Sequence, residues 1–210
     1  MNYIENIYIC LAAPLLIALV CSPREYRRII VFMLGGMTAC LLSSYISTFL
    51  ALQQGMDTVN ASINISPIVE ETMKILLVLF YLGVFVPGNK MTTEAIFTIA
   101  IGFATFENAC YLTQNGAERL TFLLIRGFGT GAMHIVCGLL VAIGLVRLSK
   151  HRWIGPAGMA GLYALAITFH GIYNLLVSQD SMSIAMVGYL IPLVTIALVF
   201  SFRRKARTAW

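Results

Sequence analysis

The sequence predicts an all-α fold, a polytopic transmembrane helix bundle, and three observations carry that prediction. Of its 210 residues, 59% are hydrophobic and only 11% are charged, where a soluble domain would hold about a quarter charged residues. Seven apolar runs are close to the roughly 20 residues that a helix needs to cross a bilayer. The charged residues gather mostly between these runs, and the few inside them share helix faces. Mean hydropathy is +0.85. Residues 1–210 therefore read as one integral membrane domain embedded in the lipid bilayer, with no separate soluble domain.

The runs lie near residues 5–21, 29–52, 65–86, 93–113, 120–147, 156–178 and 184–202. The first has Glu5 and no basic residue ahead of it, so it is expected to remain as a span rather than act as a cleaved leader. The second carries Ser43, Ser44, Ser47 and Thr48 in one half, a polar face that suits either a cavity or interhelical hydrogen bonds. The third begins at Ser66-Pro67 and is the anomalous one, holding Glu70, Glu71 and Lys74. Gly127, Gly131 and Gly138 in the fifth, with Gly158 and Gly161 in the sixth, are expected to let neighbouring backbones approach. Gly155-Pro156 suits the first turn of the sixth, and Pro192 is expected to bend the seventh. Cys10, Cys21, Cys40, Cys110 and Cys137 lie in apolar runs without a CxxC pair, so they form no disulfide framework.

Orientation follows from the basic residues. One set of connectors and termini holds Arg24, Arg27, Arg28, Lys90, Arg147, Lys150, Arg152, Arg203, Arg204, Lys205 and Arg207. The opposite set holds Arg119 alone. The positive-inside rule then places the N-terminus out and the C-terminus in. The net charge of +5 is spent on these flanks, which argues against a nucleic-acid partner.

Ionisable groups inside spans are costly, about 2.5–3.5 kcal/mol each at a helix centre, and mark functional sites by default. Here they sit on four helices within residues 65–178: Glu70, Glu71 and Lys74; Glu107 with Phe103 and Tyr111; His134; His170 with Asn174. At 3.6 residues per turn, Glu70 and Lys74 share a face, as do His170 and Asn174. With Arg126 read as a snorkelling interface anchor, Glu70, Glu107, His134 and His170 all lie about 9–12 Å below the outer surface, at 1.5 Å per residue. Like-charged carboxylates in a low dielectric cannot all stay ionised. A carboxylate base beside a carboxyl that holds its proton suits general acid–base chemistry with water as the nucleophile.

Four motifs in this order resemble those of the PrsW family of intramembrane proteases, within the wider superfamily of CaaX-processing and bacteriocin-processing membrane enzymes. They are Glu70-Glu71-Thr72-Met73-Lys74, Phe103 to Glu107, His134 to Gly138, and His170 to Asn174, spanning residues 66–174, about half of the chain. The resemblance implies an enzyme that cleaves a single-pass membrane substrate near its extracytoplasmic side, such as an anti-sigma factor, in a bacterial cytoplasmic membrane. It further implies Glu70 as the water-activating base, Glu71 as its partner, and His170 with Asn174 as stabilisers of the oxyanion. In the CaaX endopeptidases His stands where Glu107 stands here, so Glu107, His134 or both complete the water site.

A zinc ion is the main alternative, since Glu70, Glu107, His134 and His170 could supply the three protein ligands of a catalytic site. The chain has no HExxH helix, and Lys74 on the Glu70 face would repel a cation, so the favoured expectation is a glutamate mechanism without a cofactor. A proton-coupled transporter would also carry buried Glu, His and Lys, but repeats or broken helices are not evident. A non-catalytic membrane scaffold is the other rival.

Overall fold

The computed structural model describes residues 4–115, 120–148, 151 and 153–208. Arg119, Lys150 and Arg152, which entered the orientation argument, lie outside them. Among the described residues there are eight helices: α1 Ile4–Cys21, α2 Arg24–Gln54, α3 Thr58–Asn64, α4 Ser66–Phe85, α5 Asn89–Asn115, α6 Leu120–Val146, α7 Gly155–Val177 and α8 Met182–Thr208.

Each expected run coincides with one helix. Six of them, all but α3 and α4, are long and apolar enough to cross a membrane. α4 has 20 residues, and three charged residues, Glu70, Glu71 and Lys74, fall close together in its first half. α3 was not foreseen. It forms because Asp57 caps it, its side chain accepting from the Asn60 amide at 2.8 Å. Pro67 then sits in the first turn of α4, where its missing N–H costs nothing.

Helix ends follow local chemistry. α2 stops at Gly55, whose φ of 63° places it in the left-handed region and lets its amide reach back to the carbonyls of Ala51 and Leu52. α4 ends at Val86, also left-handed with φ 44°, ahead of Pro87, which cannot extend a helix.

The tightest helix crossing is between α2 and α5. A Cβ on Gly36 would come within 2.1 Å of the Ile99 carbonyl oxygen, and one on Gly102 within 2.2 Å of the Met33 carbonyl oxygen. The glycines singled out from the sequence behave differently. Gly127, Gly131 and Gly161 have nothing within 4 Å of an added Cβ, and only Gly138 and Gly158 face neighbours.

The core runs through the centre of the bundle. Val78, Ile99, Met133, Cys137, Ala166 and Tyr189 join α4 to α8 in one cluster, while Met37, Phe103 and Phe106 lock α2 against α5. Large apolar side chains cover the outside, among them Leu16, Phe49, Phe80, Leu165 and Val194, as expected of a surface that faces lipid. All five cysteines are free thiols.

Candidate active site

Four helices bring the predicted residues into one cluster. Glu70, Glu71 and Lys74 come from α4, Glu107 from α5, His134 from α6 and His170 with Asn174 from α7. Glu71, Lys74, His134 and His170 are buried, at 2%, 7%, 0% and 1% exposure. The side chains of Glu70 and Glu107 are 16% and 30% exposed. This difference divides the roles: Glu70 and Glu107 reach open space, and the other four groups frame them.

The frame is a continuous chain of contacts. Glu71 Oε1 accepts from Lys74 Nζ at 2.6 Å and lies 2.8 Å from His170 Nδ1. Lys74 Nζ also reaches His134 Nδ1 at 2.9 Å, and His134 Nε2 lies 2.6 Å from Glu107 Oε2. Phe103 packs beneath, with Lys74 Nζ 4.7 Å from its ring centre and His134 edge-tilted at 5.0 Å. The sequence put Lys74 on the face of Glu70. Its ion pair is with Glu71, three residues back and wholly inside, so the Lys74 charge is neutralised away from Glu70.

Donor rules fix the ring tautomers. Glu71, ion-paired, accepts only, so His170 Nδ1 donates to it and Nε2 is left on the opposite edge of the ring. That Nε2 faces Glu70 Oε2 at 3.6 Å, and Glu70 Oε2 is buried without a hydrogen-bond partner among the described residues. The Lys74 ammonium can only donate, so His134 Nδ1 accepts and Nε2–H donates to Glu107.

Glu70 and Glu107 both line two cavities, of about 490 and 450 Å³, that also share Ser62, Ser66, Tyr111 and Arg126. The first extends along α2 and the second between α6, α7 and α8. Arg126 is the residue that sequence reasoning missed. Instead of snorkelling it is 8% exposed, pairs with Glu107 Oε1 at 3.4 Å and Asn108 Oδ1, and stacks on Tyr111 at 3.6 Å. A signal was present: Arg126, Thr130 and His134 recur at four-residue steps on one face of α6. Asn174 lines the second cavity, but its Nδ2 donates to the Ser62 carbonyl at 2.8 Å and so ties α3 to α7.

Three of these groups converge as ligands to a divalent cation would. One ligand atom each from Glu70, His134 and His170 lie within 4.8 Å of one another. Glu70 Oε2 and His170 Nε2 face each other at 3.6 Å, too far apart for a direct hydrogen bond, and Glu71 holds the far nitrogen of His170 as an outer carboxylate does around a metal. His134 Nε2 can join only by releasing its proton, which metal binding commonly drives. The residues fit.

The site thus belongs to a helical membrane bundle with two carboxylates on the wall of a cavity and two imidazoles buried behind them. The chain belongs to the PrsW family: the sequence model described as "PrsW family intramembrane metalloprotease" matches residues 25–202. It is also similar to a protein named Protease PrsW from Oceanobacillus iheyensis, 26% identical over 102 residues, which are 48% of this chain and 46% of that protein. The match thus spans about half the length of that relative. No solved structure matches. Membership in a protease family with several apolar helices makes this a multi-pass integral membrane protein and supports an enzyme. The relative's bacterial origin supports the cytoplasmic membrane.

Proposed function

We propose that this chain is an intramembrane metalloendopeptidase that cuts a single-pass membrane protein near its extracytoplasmic side. The observation that supports the metal is Glu70 Oε2, buried without a hydrogen-bond partner among the described residues and facing His170 Nε2 at 3.6 Å. Glu70, His170 and deprotonated His134 would hold a divalent cation, zinc being the natural choice for one carboxylate and two imidazoles. Such an ion supplies Lewis acidity to the scissile carbonyl and lets water react near neutral pH.

The chain's own groups do the rest. Glu107, facing both cavities, takes the proton of the attacking water, and Arg126 holds it at its other oxygen. The Arg126 guanidinium, on the same wall, offers donors to the oxyanion that develops. Asn174 can help only through its second amide hydrogen, the first being held by Ser62. The N-out orientation assigned from the basic residues puts both cavities on the outer side, which suits a substrate cut after its external part is exposed. An anti-sigma factor is one such substrate.

A second reading keeps Glu70 as the water-activating base and uses no metal. It is favoured by His134, both of whose nitrogens are already engaged, by Lys74 and Glu107.

One experiment separates them. The chain is reconstituted with a panel of single-pass substrates, and bound metal is counted by elemental analysis. The metal reading expects about one divalent ion per chain, lost in Glu70→Gln and His170→Ala, with cleavage abolished by chelation and restored by zinc. Full cleavage by metal-free protein overturns it in favour of the second reading. Equal cleavage by wild type and Glu70→Gln, or none across the panel, overturns the protease reading itself.

A further inference from the structure

The first cavity has a wall that the chemistry above does not use. Along α2, Cys40, Ser44, Ser47, Thr48 and Ala51 recur at three- and four-residue steps and all line it, so one face of α2 is small and hydroxyl-bearing while Phe49 points outward at 61% exposure. From Cys40 to Ala51 the helix rises about 16 Å, the length of about five extended residues.

The hydroxyls on this wall differ in what they can still bond. Ser44 Oγ donates to the Leu41 carbonyl at 2.9 Å and Thr48 Oγ1 to the Ser44 carbonyl at 2.7 Å, which leaves their lone pairs as acceptors. Ser47 is 6% exposed, and its Oγ has no partner among the described residues. A buried hydroxyl without a partner is costly, and Ser47 lines the cavity that also reaches Glu70 and Glu107.

We propose that the α2 face from Cys40 to Ala51 is the docking strip for the unwound, extended backbone of the membrane substrate, with the Ser47 hydroxyl donating to a substrate carbonyl. This rests on the protease reading and names how its substrate is held. A scissile bond must leave the helical state to be cut, and its freed N–H and C=O groups then need partners at membrane depth. Ser47 supplies a donor, and Ser44 and Thr48 supply acceptors. The small side chains leave room for a main chain to lie close, and the neutral wall fits a polypeptide better than a charged headgroup. Substrates are therefore those whose outer membrane segment uncoils readily, rich in Gly, Ala and Ser.

The test uses the full chain in liposomes with a synthetic single-pass peptide. The outer end of the peptide reads Gly-Ala-Ser-Gly and carries one small diazirine side chain. Light-driven adducts are mapped by mass spectrometry in wild type and in Glu70→Gln. Adducts on residues 40–51, reduced at least tenfold by Ser47→Leu and unchanged by the lipid-facing Phe49→Ala, support the strip. Ser47→Ala, which cannot clash, is expected to weaken peptide binding about two- to tenfold, the worth of one hydrogen bond, and to raise KM with little change in kcat. Adducts only on Thr130, Tyr173 and Tyr189 of the second cavity, or only on lipid-facing side chains, overturn the proposal. Labelling does not require cleavage, so a strip labelled without activity sinks the protease reading alone. Normal cleavage with no label on α2 sinks the strip alone.

Discussion

Glu71 and His170 meet at 2.8 Å in the buried centre of the bundle, and neither lines the two cavities that Glu70 and Glu107 share. Their contact sets the tautomer that turns His170 Nε2 toward Glu70. Glu71→Gln keeps the volume but can rotate its amide to donate to His170, which would move the proton to Nε2. Metal affinity is expected to fall about 10–100-fold, the usual effect of losing an outer carboxylate. Competition with a fluorescent zinc chelator measures it, and unchanged affinity would show that Glu71 does not set the ring.

Arg126 holds one oxygen of Glu107 while its plane lies on Tyr111. Lys at this position keeps the charge but loses the fork and the stack. Arg126→Lys is expected to lower kcat by about tenfold or more while the bound metal count stays the same. Equal loss of kcat and of metal would make Arg126 a general packing residue instead.

The α2–α5 crossing has no slack at Gly36 and Gly102. Gly36→Ala is expected to destabilise the bundle by about 1–3 kcal/mol, the common cost of overpacking. Gly131→Ala, with nothing within 4 Å, is expected to be neutral or to stabilise by up to about 1 kcal/mol through helix propensity. Thermal melts in one detergent compare the two, and equal shifts would refute the crossing.

Asp57 gives a pH dependence outside the membrane-spanning helices. Hydrogen bonds from the Asn60 backbone and side chain hold its carboxyl below its ordinary value of 3.8. A lowered value means that the cap is fully present above the unfolded value and is lost as pH falls through the folded one. Hydrogen exchange in α3 is therefore expected to accelerate below about pH 4. Asp57→Asn, which still caps, should remove that pH dependence, and Asp57→Ala should give fast exchange at every pH.

The helices and the convergence of Glu70, Glu107, His134 and His170 were legible because cost and depth are properties of sequence position. An ionisable residue in an apolar run needs partners, and equal depth says on which level they lie. What was not legible depends on rotation and crossing point. Lys74 can lean toward residue 70 or 71, and only His134 on another helix decides for 71. Arg126 could reach water or Glu107, and the Tyr111 ring beneath it decides for Glu107. Which glycines meet a neighbour depends on where helices cross, so Gly36 and Gly102 outrank the more glycine-rich α6. α3 was hidden in a connector, although Asp57 three residues before Asn60 was a cap signal.

The ion pair of α4 has one further consequence, for how the protein is made. Lys74 and Glu71 are three residues apart on one helix, so this segment carries its own counter-ion before any neighbour arrives. Three lone charges would cost roughly 8–10 kcal/mol on insertion, and internal neutralisation leaves Glu70 as the residue still to be accommodated. The segment can thus enter the bilayer early, and the arrival of α7 with His170 completes it. Assembly of the site and biogenesis of the bundle become one event, so variants that unbalance the charge on α4, Glu71→Gln among them, should accumulate in the membrane to lower levels than wild type.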